Sequence, residues 1–356
     1  IYAIQFLASL LAMAGYVGYI TFWAKENILI ALIQGITILS CFMNISWLFW
    51  GVGQFQITVS RNAFIRVLSV ILTLFLVKSP SDLWIYTMIM CGSMFICQAI
   101  LWPSALKCIR FTSISVQDIL PHIRPVIVLF LPLAAMSVYH VMDKTMLGIF
   151  SSYQQLGFYY NADKVVNIPA GVLGGIGTVM LPEISRLIKC GDSLKADQLF
   201  CKSLEGTILV ASALSLGIAA VAKEFTPIFF GTGYEECILL IILLAPVLVI
   251  KGFSFSIRYQ YLIPRRMDRV YVYSIVLGAV VNLIANLYFI PRLAAVGAVL
   301  GTFLAELCGC LMQYWFIKGN VIYGKSLYNS VVYLLFGCIM FGVVRLVSGQ
   351  FSELYS

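Results

Sequence analysis

The sequence contains few of the residues on which enzymes and metal proteins depend. Only 11% of its 356 residues are charged, and only two are histidines, His122 and His140. Its ten cysteines are scattered, mostly within apolar runs, without paired CxxC spacing or accompanying histidines. This distribution argues against a disulfide framework, and it predicts neither a metal site nor a catalytic site.

The chain also lacks long polar connections between its apolar segments. The two longest, 103–124 and 186–203, are too short to fold as separate domains. A membrane glycosyltransferase or polymerase usually presents carboxylates, histidines or arginines from a large loop. We therefore predict that the protein is not an enzyme, and we keep an integral membrane enzyme of envelope synthesis as an alternative.

Hydrophobic residues make up 61% of the sequence, well above the roughly 45 to 50% of an average globular protein. A bilayer crossing needs about 20 mostly apolar residues. The sequence therefore predicts an all-α, polytopic membrane protein with about eleven transmembrane helices. The predicted crossings are 1–24, 28–50, 64–77, 83–102, 125–150, 156–187, 204–222, 237–257, 270–290, 294–317 and 327–347.

The basic residues are distributed unevenly between the two sides of these crossings. Fifteen of the 23 lysines and arginines fall on alternate connections, and the connections between them carry only five. By the positive-inside rule, the connections rich in basic residues face the cytoplasm. The cytoplasmic group includes Arg258, Arg265, Arg266 and Arg269, and the opposite group is Lys25, Lys78, Lys223, Arg292 and Arg345. Because this asymmetry explains the net charge of +8, we predict no nucleic-acid partner.

An internal repeat predicts two helical bundles related by a pseudo-two-fold repeat. The segment that begins at Gln54 resembles the one that begins at Gln260, an offset of about 206 positions. Repeats related by an axis along the membrane normal are a transporter architecture, with the binding site between the halves. We predict an N-terminal bundle at 1–124 that lacks its first two helices, a six-helix bundle at 125–318 and a trailing transmembrane helix at 319–356.

Several ionisable residues lie in or beside apolar runs, where a charge costs roughly 2.5 to 3.5 kcal/mol even on lenient scales. Such residues usually pair inward or line a water-filled path. The candidates are Asp143, Lys144, Asp163, Lys164, Lys251 and Glu306, joined by Asn161 and Asn167. The alternative for the Asp-Lys pairs at 143–144 and 163–164 is that they lock two consecutive helices together near the outer interface. The neighbouring Tyr153, Tyr159 and Tyr160 are predicted to lie at the membrane interface.

Prolines and glycines are concentrated between residues 167 and 182, and a proline also interrupts the crossing at 237–257. Proline removes a backbone donor and clashes with the preceding turn, so kinks or breaks are predicted in these helices. The alternative for the glycines is close helix packing through small-xxx-small spacing. The pairs with this spacing are Gly171 with Gly175 and Gly297 with Gly301.

Four motifs together suggest a family. The first three are Met-Asp-Lys followed by Leu-Gly at 142–148, Gly-Phe-Tyr-Tyr-Asn-Ala-x-Lys at 157–164, and Met-Leu-Pro-x-Ile-Ser at 180–185. The fourth is Phe-Ile-Pro at 289–291 with Val-Gly-Ala-x-x-Gly-Thr at 296–302. Combined, they resemble the Wzx-type polysaccharide flippases of the multidrug/oligosaccharidyl-lipid/polysaccharide exporter superfamily. That family has two six-helix bundles, often followed by two trailing helices, so the resemblance implies truncation at both ends of this chain.

The resemblance implies flipping of an undecaprenyl-diphosphate-linked oligosaccharide repeat unit across the bacterial cytoplasmic membrane, for O-antigen or capsule assembly. Besides this substrate and membrane lipid, it implies a polysaccharide polymerase and a chain-length regulator as partners. No cofactor is expected, and H⁺ or Na⁺ is the expected coupling ion. The residues in apolar runs are compatible with this function: the candidate substrate-binding residues are Lys144, Lys164, Lys251, Asn161 and Asn167, and the candidate ion-coupling residues are Asp143, Asp163 and Glu306. A cation-coupled multidrug exporter of the same superfamily is the alternative.

Overall fold

The computed structural model describes residues 2–22, 27–52, 54–106, 109, 116–318 and 324–354. All regular structure in these residues is helical, which confirms the predicted all-α class. Nine helical segments of the described chain are long and apolar enough to cross a membrane. The chain is therefore a multi-pass membrane protein. Lys25 and the predicted boundary at residue 319 lie outside the described residues.

Contacts divide the chain into two compact units, Ile1–Phe130 and Leu131–Ser356, and the division falls within the seventh helix. In the first unit, the second helix packs against the first and the fifth, and the fourth also packs against the fifth. The helices of this unit are α1 (Tyr2–Phe22), α2 (Ile28–Phe42), α3 (Ser46–Gly51), α4 (Phe55–Leu76), α5 (Leu83–Ala99), α6 (Trp102–Ala105) and the start of α7 (Val116–Phe150).

The second unit contains the end of α7 and all later helices. These are α8 (Tyr153–Lys189), α9 (Ser193–Phe230), α10 (Glu236–Leu244), α11 (Val247–Ser256) with the π-helical turn Ile257–Leu262, α12 (Asp268–Ile317) and α13 (Gly324–Leu354). Helix α9 is central, since it packs against α8, α10, α11 and α13. Its small buried side chains, such as Ala211, Ser212 and Ser215, allow this close contact.

Helix α12 covers two of the predicted crossings, 270–290 and 294–317, and is interrupted between them. Ala294 has φ 48° and ψ −123°, outside the helical region, and it turns the chain back on itself. The predicted pair Gly297 and Gly301 packs tightly in this hairpin: a Cβ at Gly297 would overlap the backbone of Phe289, and one at Gly301 would overlap Asn286 Oδ1. Both glycines are therefore needed for the two arms to approach.

The other proline and glycine predictions have mixed outcomes. The predicted break before Pro246 is confirmed, because α10 ends at Leu244 and α11 begins at Val247. A break between residues 167 and 182 is wrong, since α8 continues through this segment with Pro169 and Pro182 inside it; a kink there stays a prediction. Close packing of another helix at Gly171 and Gly175 is also wrong: a Cβ added at either position meets nothing within 4 Å in the described part of the chain.

Candidate functional site

Six of the eight predicted site residues come together inside the second unit. Asp143 and Lys144 lie near the end of α7, Asp163 and Asn167 on α8, Lys251 on α11 and Glu306 on α12. With Tyr159 and Thr302, these six line one cavity of about 150 Å³, which we call the small cavity. Two pairs of helices, α7 with α8 and α11 with α12, thus supply one cluster of ionisable side chains.

Lys144 and Asp163 form an ion pair between α7 and α8. Lys144 Nζ lies 2.9 Å from Asp163 Oδ2, with side-chain exposures of 29% and 17%. The other oxygen of Asp163 accepts a hydrogen bond of 2.5 Å from Asn167 Nδ2, one helical turn further along α8. This pair therefore joins the two consecutive helices, as the structural alternative predicted, and also lines the cavity.

Lys251 continues this line of polar groups. Its ammonium donates a hydrogen bond of 2.8 Å to Asn167 Oδ1, and it lies 3.9 Å from Glu306 Oε1. The exposed fractions of the two charged side chains are only 12% and 18%. Sequence reasoning missed this pairing, because Lys251 has no acid nearby in its own helix. Asn167 thus connects the Lys144–Asp163 pair to the Lys251–Glu306 pair.

Asp143 points into a separate and more buried network. Its carboxylate accepts hydrogen bonds from Tyr159 Oη (2.8 Å), Thr302 Oγ1 (2.8 Å) and Asn286 Nδ2 (2.6 Å). Asn286 also donates to Asn282 Oδ1 (3.0 Å), and the carbonyl of Ala298, 3.0 Å from Thr302 Oγ1, is an alternative acceptor for the single proton of that hydroxyl. The α12 hairpin therefore supplies most of the groups that hold this carboxylate.

Tyr159 corrects one of the interface predictions. Its side chain is 1% exposed and hydrogen-bonded to Asp143, so its placement at the membrane interface was wrong. Tyr153 and Tyr160 are exposed, as an interface position requires. The sequence signal that was missed is spacing: Asn282 and Asn286 lie one turn apart within an apolar run, which puts two amides on one helix face.

Lys164 and Asn161 are not brought into the cluster. Lys164 is exposed, with its ammonium 4.3 Å from the ring centroid of Tyr160. Asn161 is half-buried and is absent from the lining of the small cavity. Their predicted role in substrate binding stays a prediction.

A second cavity of about 340 Å³, which we call the large cavity, adjoins the small one. Asn167, Lys251 and Glu306 line both cavities. The large cavity also has a cation that the sequence analysis placed in a connection: Arg258 lies in the π-helical turn and lines this cavity. All lining residues of both cavities belong to the second unit.

Comparisons with known proteins agree with these observations. A model of the family described as "Polysaccharide biosynthesis protein" matches residues 2–188. The "Putative O-antigen transporter" of Shigella dysenteriae is 26% identical over 259 residues, covering 71% of this chain and 63% of that protein. The "Probable low-salt glycan biosynthesis flippase Agl15" of Haloferax volcanii is 25% identical over 219 residues, covering 59% of this chain and 45% of that protein.

A solved structure of the lipid II flippase MurJ, in an inward closed conformation, has the same fold. The TM-score is 0.76 at 15% identity, covering 100% of this chain and 84% of that one. The chain spans less than two thirds of the length of the two curated relatives. The family match includes more than half of this chain and agrees with the resemblance that its motifs indicate. The chain belongs to the polysaccharide biosynthesis protein family.

Proposed function

We propose that the protein flips an undecaprenyl-diphosphate-linked oligosaccharide repeat unit from the cytoplasmic to the outer leaflet of the bacterial inner membrane. The observation that carries this proposal is the line of groups from Lys144 through Asp163, Asn167 and Lys251 to Glu306. This line borders two adjoining cavities among helices that are apolar enough to cross a membrane. Charged side chains among apolar helices are stable only when a polar ligand, an ion or water offsets the cost of their desolvation.

The chemistry of such a substrate fits this arrangement. Its sugars and diphosphate cannot cross hydrocarbon unaided, whereas its polyprenyl tail is stable in lipid. A flippase therefore needs a polar interior with cations for the phosphates. Lys251 is suited to this role, because its ion pair with Glu306 is loose at 3.9 Å and a lysine ammonium binds phosphate as a point charge.

The names of the relatives support the class of substrate. One is named as an O-antigen transporter and another as a glycan biosynthesis flippase. A place in surface polysaccharide assembly would make a polysaccharide polymerase and a chain-length regulator the partners that act on the flipped unit.

We also propose that flipping is coupled to H⁺ or Na⁺ at Asp143. A proton would bind the carboxylate itself and weaken its hold on Tyr159 and Asn286. A sodium ion would instead use oxygen ligands, and the site offers Asp143, the Thr302 hydroxyl and the buried Oδ1 of Asn286, which accepts no hydrogen bond from the described residues. Hard cations prefer oxygen ligands of these kinds.

A multidrug exporter of cationic compounds fits the large cavity less well. Two cations, Lys251 and Arg258, line that cavity against one carboxylate, Glu306. Their combined field would oppose the entry of a positively charged drug. Resistance of cells to cationic dyes should therefore be unchanged by expression of the protein.

The proposed function is tested by complementation of a strain that lacks its O-antigen or capsule flippase. The complete gene should restore surface polysaccharide, and Lys251→Ala or Lys144→Ala should abolish the restoration while protein remains in the membrane. Lys189→Ala, which removes an exposed lysine outside both cavities, is the matched control. Full restoration by the Lys251→Ala and Lys144→Ala variants would contradict the proposal.

A further inference from the structure

The two cavities differ in their balance of charge. The small cavity is lined by three carboxylates, Asp143, Asp163 and Glu306, and by two ammonium groups. The large cavity keeps only Glu306 of these carboxylates and has Lys251 and Arg258 as cations. The small cavity therefore favours a cation or a proton, and the large cavity favours an anion.

Arg258 lines the large cavity but belongs to none of the ion pairs described above. Its guanidinium lies 4.6 Å from the ring centroid of Tyr271 and 5.5 Å from that of Phe255. It forms no ion pair with a carboxylate in the described part of the chain, and its buried Nε has no hydrogen-bond partner. Arginine stays protonated in proteins and offers five donors, so the unpaired Nε of this group is available to donate to an anionic ligand.

A comparison with Arg265 shows that this is not a general property of the arginines at this end of α11. Arg265 also stacks on a ring, that of Tyr261, at 3.9 Å. Unlike Arg258, it forms an ion pair with Asp197 on α9. The charge of Arg265 is therefore neutralised by a carboxylate of the described chain, whereas the charge of Arg258 is not.

Lys251 and Arg258 are placed to act together. They are seven positions apart, so they lie close to one face of the helix and about 10 Å apart along it. Arg258 lies in the π-helical turn, a type of turn that is frequent at functional sites. Both side chains line the large cavity. A ligand with two neighbouring phosphates can contact both groups, whereas a single phosphate would leave one of them unpaired.

We propose that Arg258 is a substrate-binding residue that, together with Lys251, selects a diphosphate over a monophosphate in the large cavity. Lys251 would bind one phosphate as a point charge, and the planar guanidinium of Arg258 would bind the other through two parallel hydrogen bonds. This inference rests on the proposed function, because the diphosphate that Arg258 and Lys251 would bind is that of the transported lipid.

The experiment measures binding of two soluble probes, farnesyl diphosphate and farnesyl monophosphate, to the purified full-length protein in lipid nanodiscs. The unmodified protein should bind the diphosphate more tightly by roughly ten-fold or more. Arg258→Gln should weaken diphosphate binding by about ten-fold and change monophosphate binding by less than about two-fold. Arg258→Lys keeps the charge without the fork, so it should give an intermediate preference.

Arg269→Gln is the control, because it removes the same charge from an exposed position outside the large cavity. It should leave both affinities unchanged. Equal binding of the two probes by the unmodified protein, or an undiminished preference in Arg258→Gln and Arg258→Lys, would overturn the inference. Complementation with Lys251→Ala separates this result from the proposed function: if that variant fails while Arg258→Gln keeps its preference, only the inference falls.

Discussion

Asn286 donates a hydrogen bond of 2.6 Å to the carboxylate of Asp143, although 143 positions separate the two residues. Two hydroxyl groups, from Tyr159 and Thr302, donate to the same carboxylate. Three donors therefore satisfy a carboxylate that is only 8% exposed. The end of α7 is in this way held against α8 and the α12 hairpin by one side chain.

Asp143→Asn should therefore destabilise the protein and stop transport. The amide keeps one acceptor oxygen but faces the Asn286 amide and two hydroxyls with an NH₂ group. Each lost hydrogen bond to a charged group costs about 1.5 to 3 kcal/mol. The measurements are the thermal midpoint of the purified protein in detergent and surface polysaccharide in the complemented strain.

Glu183→Gln is the control for this change, because it removes a carboxylate from an exposed ion pair with Arg186 and should have little effect on either readout. If Asp143→Asn retained the original thermal midpoint and full transport, the Asp143 network would have no part in stability or coupling.

Gly301→Ala should lower stability through a steric effect on the same network. The added methyl group would overlap Asn286 Oδ1, so the hairpin would have to open or the amide would have to leave Asp143. Overpacking of this kind costs about 1 to 3 kcal/mol. The control is Gly175→Ala on α8, where a Cβ meets nothing within 4 Å and alanine improves helix propensity by about 1 kcal/mol.

Thermal unfolding of the two glycine variants in parallel tests this prediction. Gly301→Ala should unfold at a lower temperature than the unmodified protein, and Gly175→Ala at the same or a higher temperature. Equal midpoints for the two variants would mean that the close approach of the hairpin arms does not contribute to stability.

The sequence predicted the helices better than it predicted their contacts. Apolar runs give helix positions directly, since a crossing must satisfy its backbone within the helix. The same reasoning identified Lys251 and Glu306 as unusual, because a charge is conspicuous in an apolar run. It could not pair them, since the contact depends on how α11 packs against α12, and no local pattern encodes that packing.

The glycine pairs and Tyr159 also show that a local sequence pattern does not reveal tertiary contacts. The pairs Gly171 with Gly175 and Gly297 with Gly301 have identical spacing, yet only the second pair faces a neighbouring backbone or side chain. Spacing places two residues on one face of a helix but does not say what that face meets. Tyr159 lies near the start of α8, where an aromatic residue is expected at the membrane interface. Only the structure shows that its side chain is buried and donates a hydrogen bond to Asp143.

The ion pair of Lys144 with Asp163 makes a prediction about coupling between two mutations. Lys144→Ala or Asp163→Ala alone should each destabilise the protein, because each leaves a partly buried charge without its partner. The double variant removes both charges, so its loss of stability should be smaller than the sum of the single losses by about 0.5 to 3 kcal/mol. A double-mutant cycle of unfolding free energies measures this difference, and strict additivity would show that the pair does not interact energetically.

Helix α13 is attached to α9 by two polar contacts of different exposure. Near its start, Ser326 and Asn329 donate hydrogen bonds of 2.7 and 2.9 Å to the two carboxylate oxygens of Glu205. Near its other end, Arg345 Nη1 lies 3.3 Å from Glu224 Oε1, whose side chain is 45% exposed. The first contact is better shielded from water, so it should hold the helix more strongly.

Glu205→Ala should therefore loosen the start of α13, whereas Glu224→Ala should have little effect. Removal of Glu205 leaves the buried hydroxyl of Ser326 without its acceptor, at a cost of about 1 to 3 kcal/mol. Hydrogen exchange of backbone amides in residues 326–335 should rise in Glu205→Ala relative to Glu224→Ala. Gly337 packs against Leu216 near the middle of α13, so hydrogen exchange beyond that contact should stay unchanged in both variants. A uniform rise in exchange along α13 would instead show that the helix is held as one unit and not by its start.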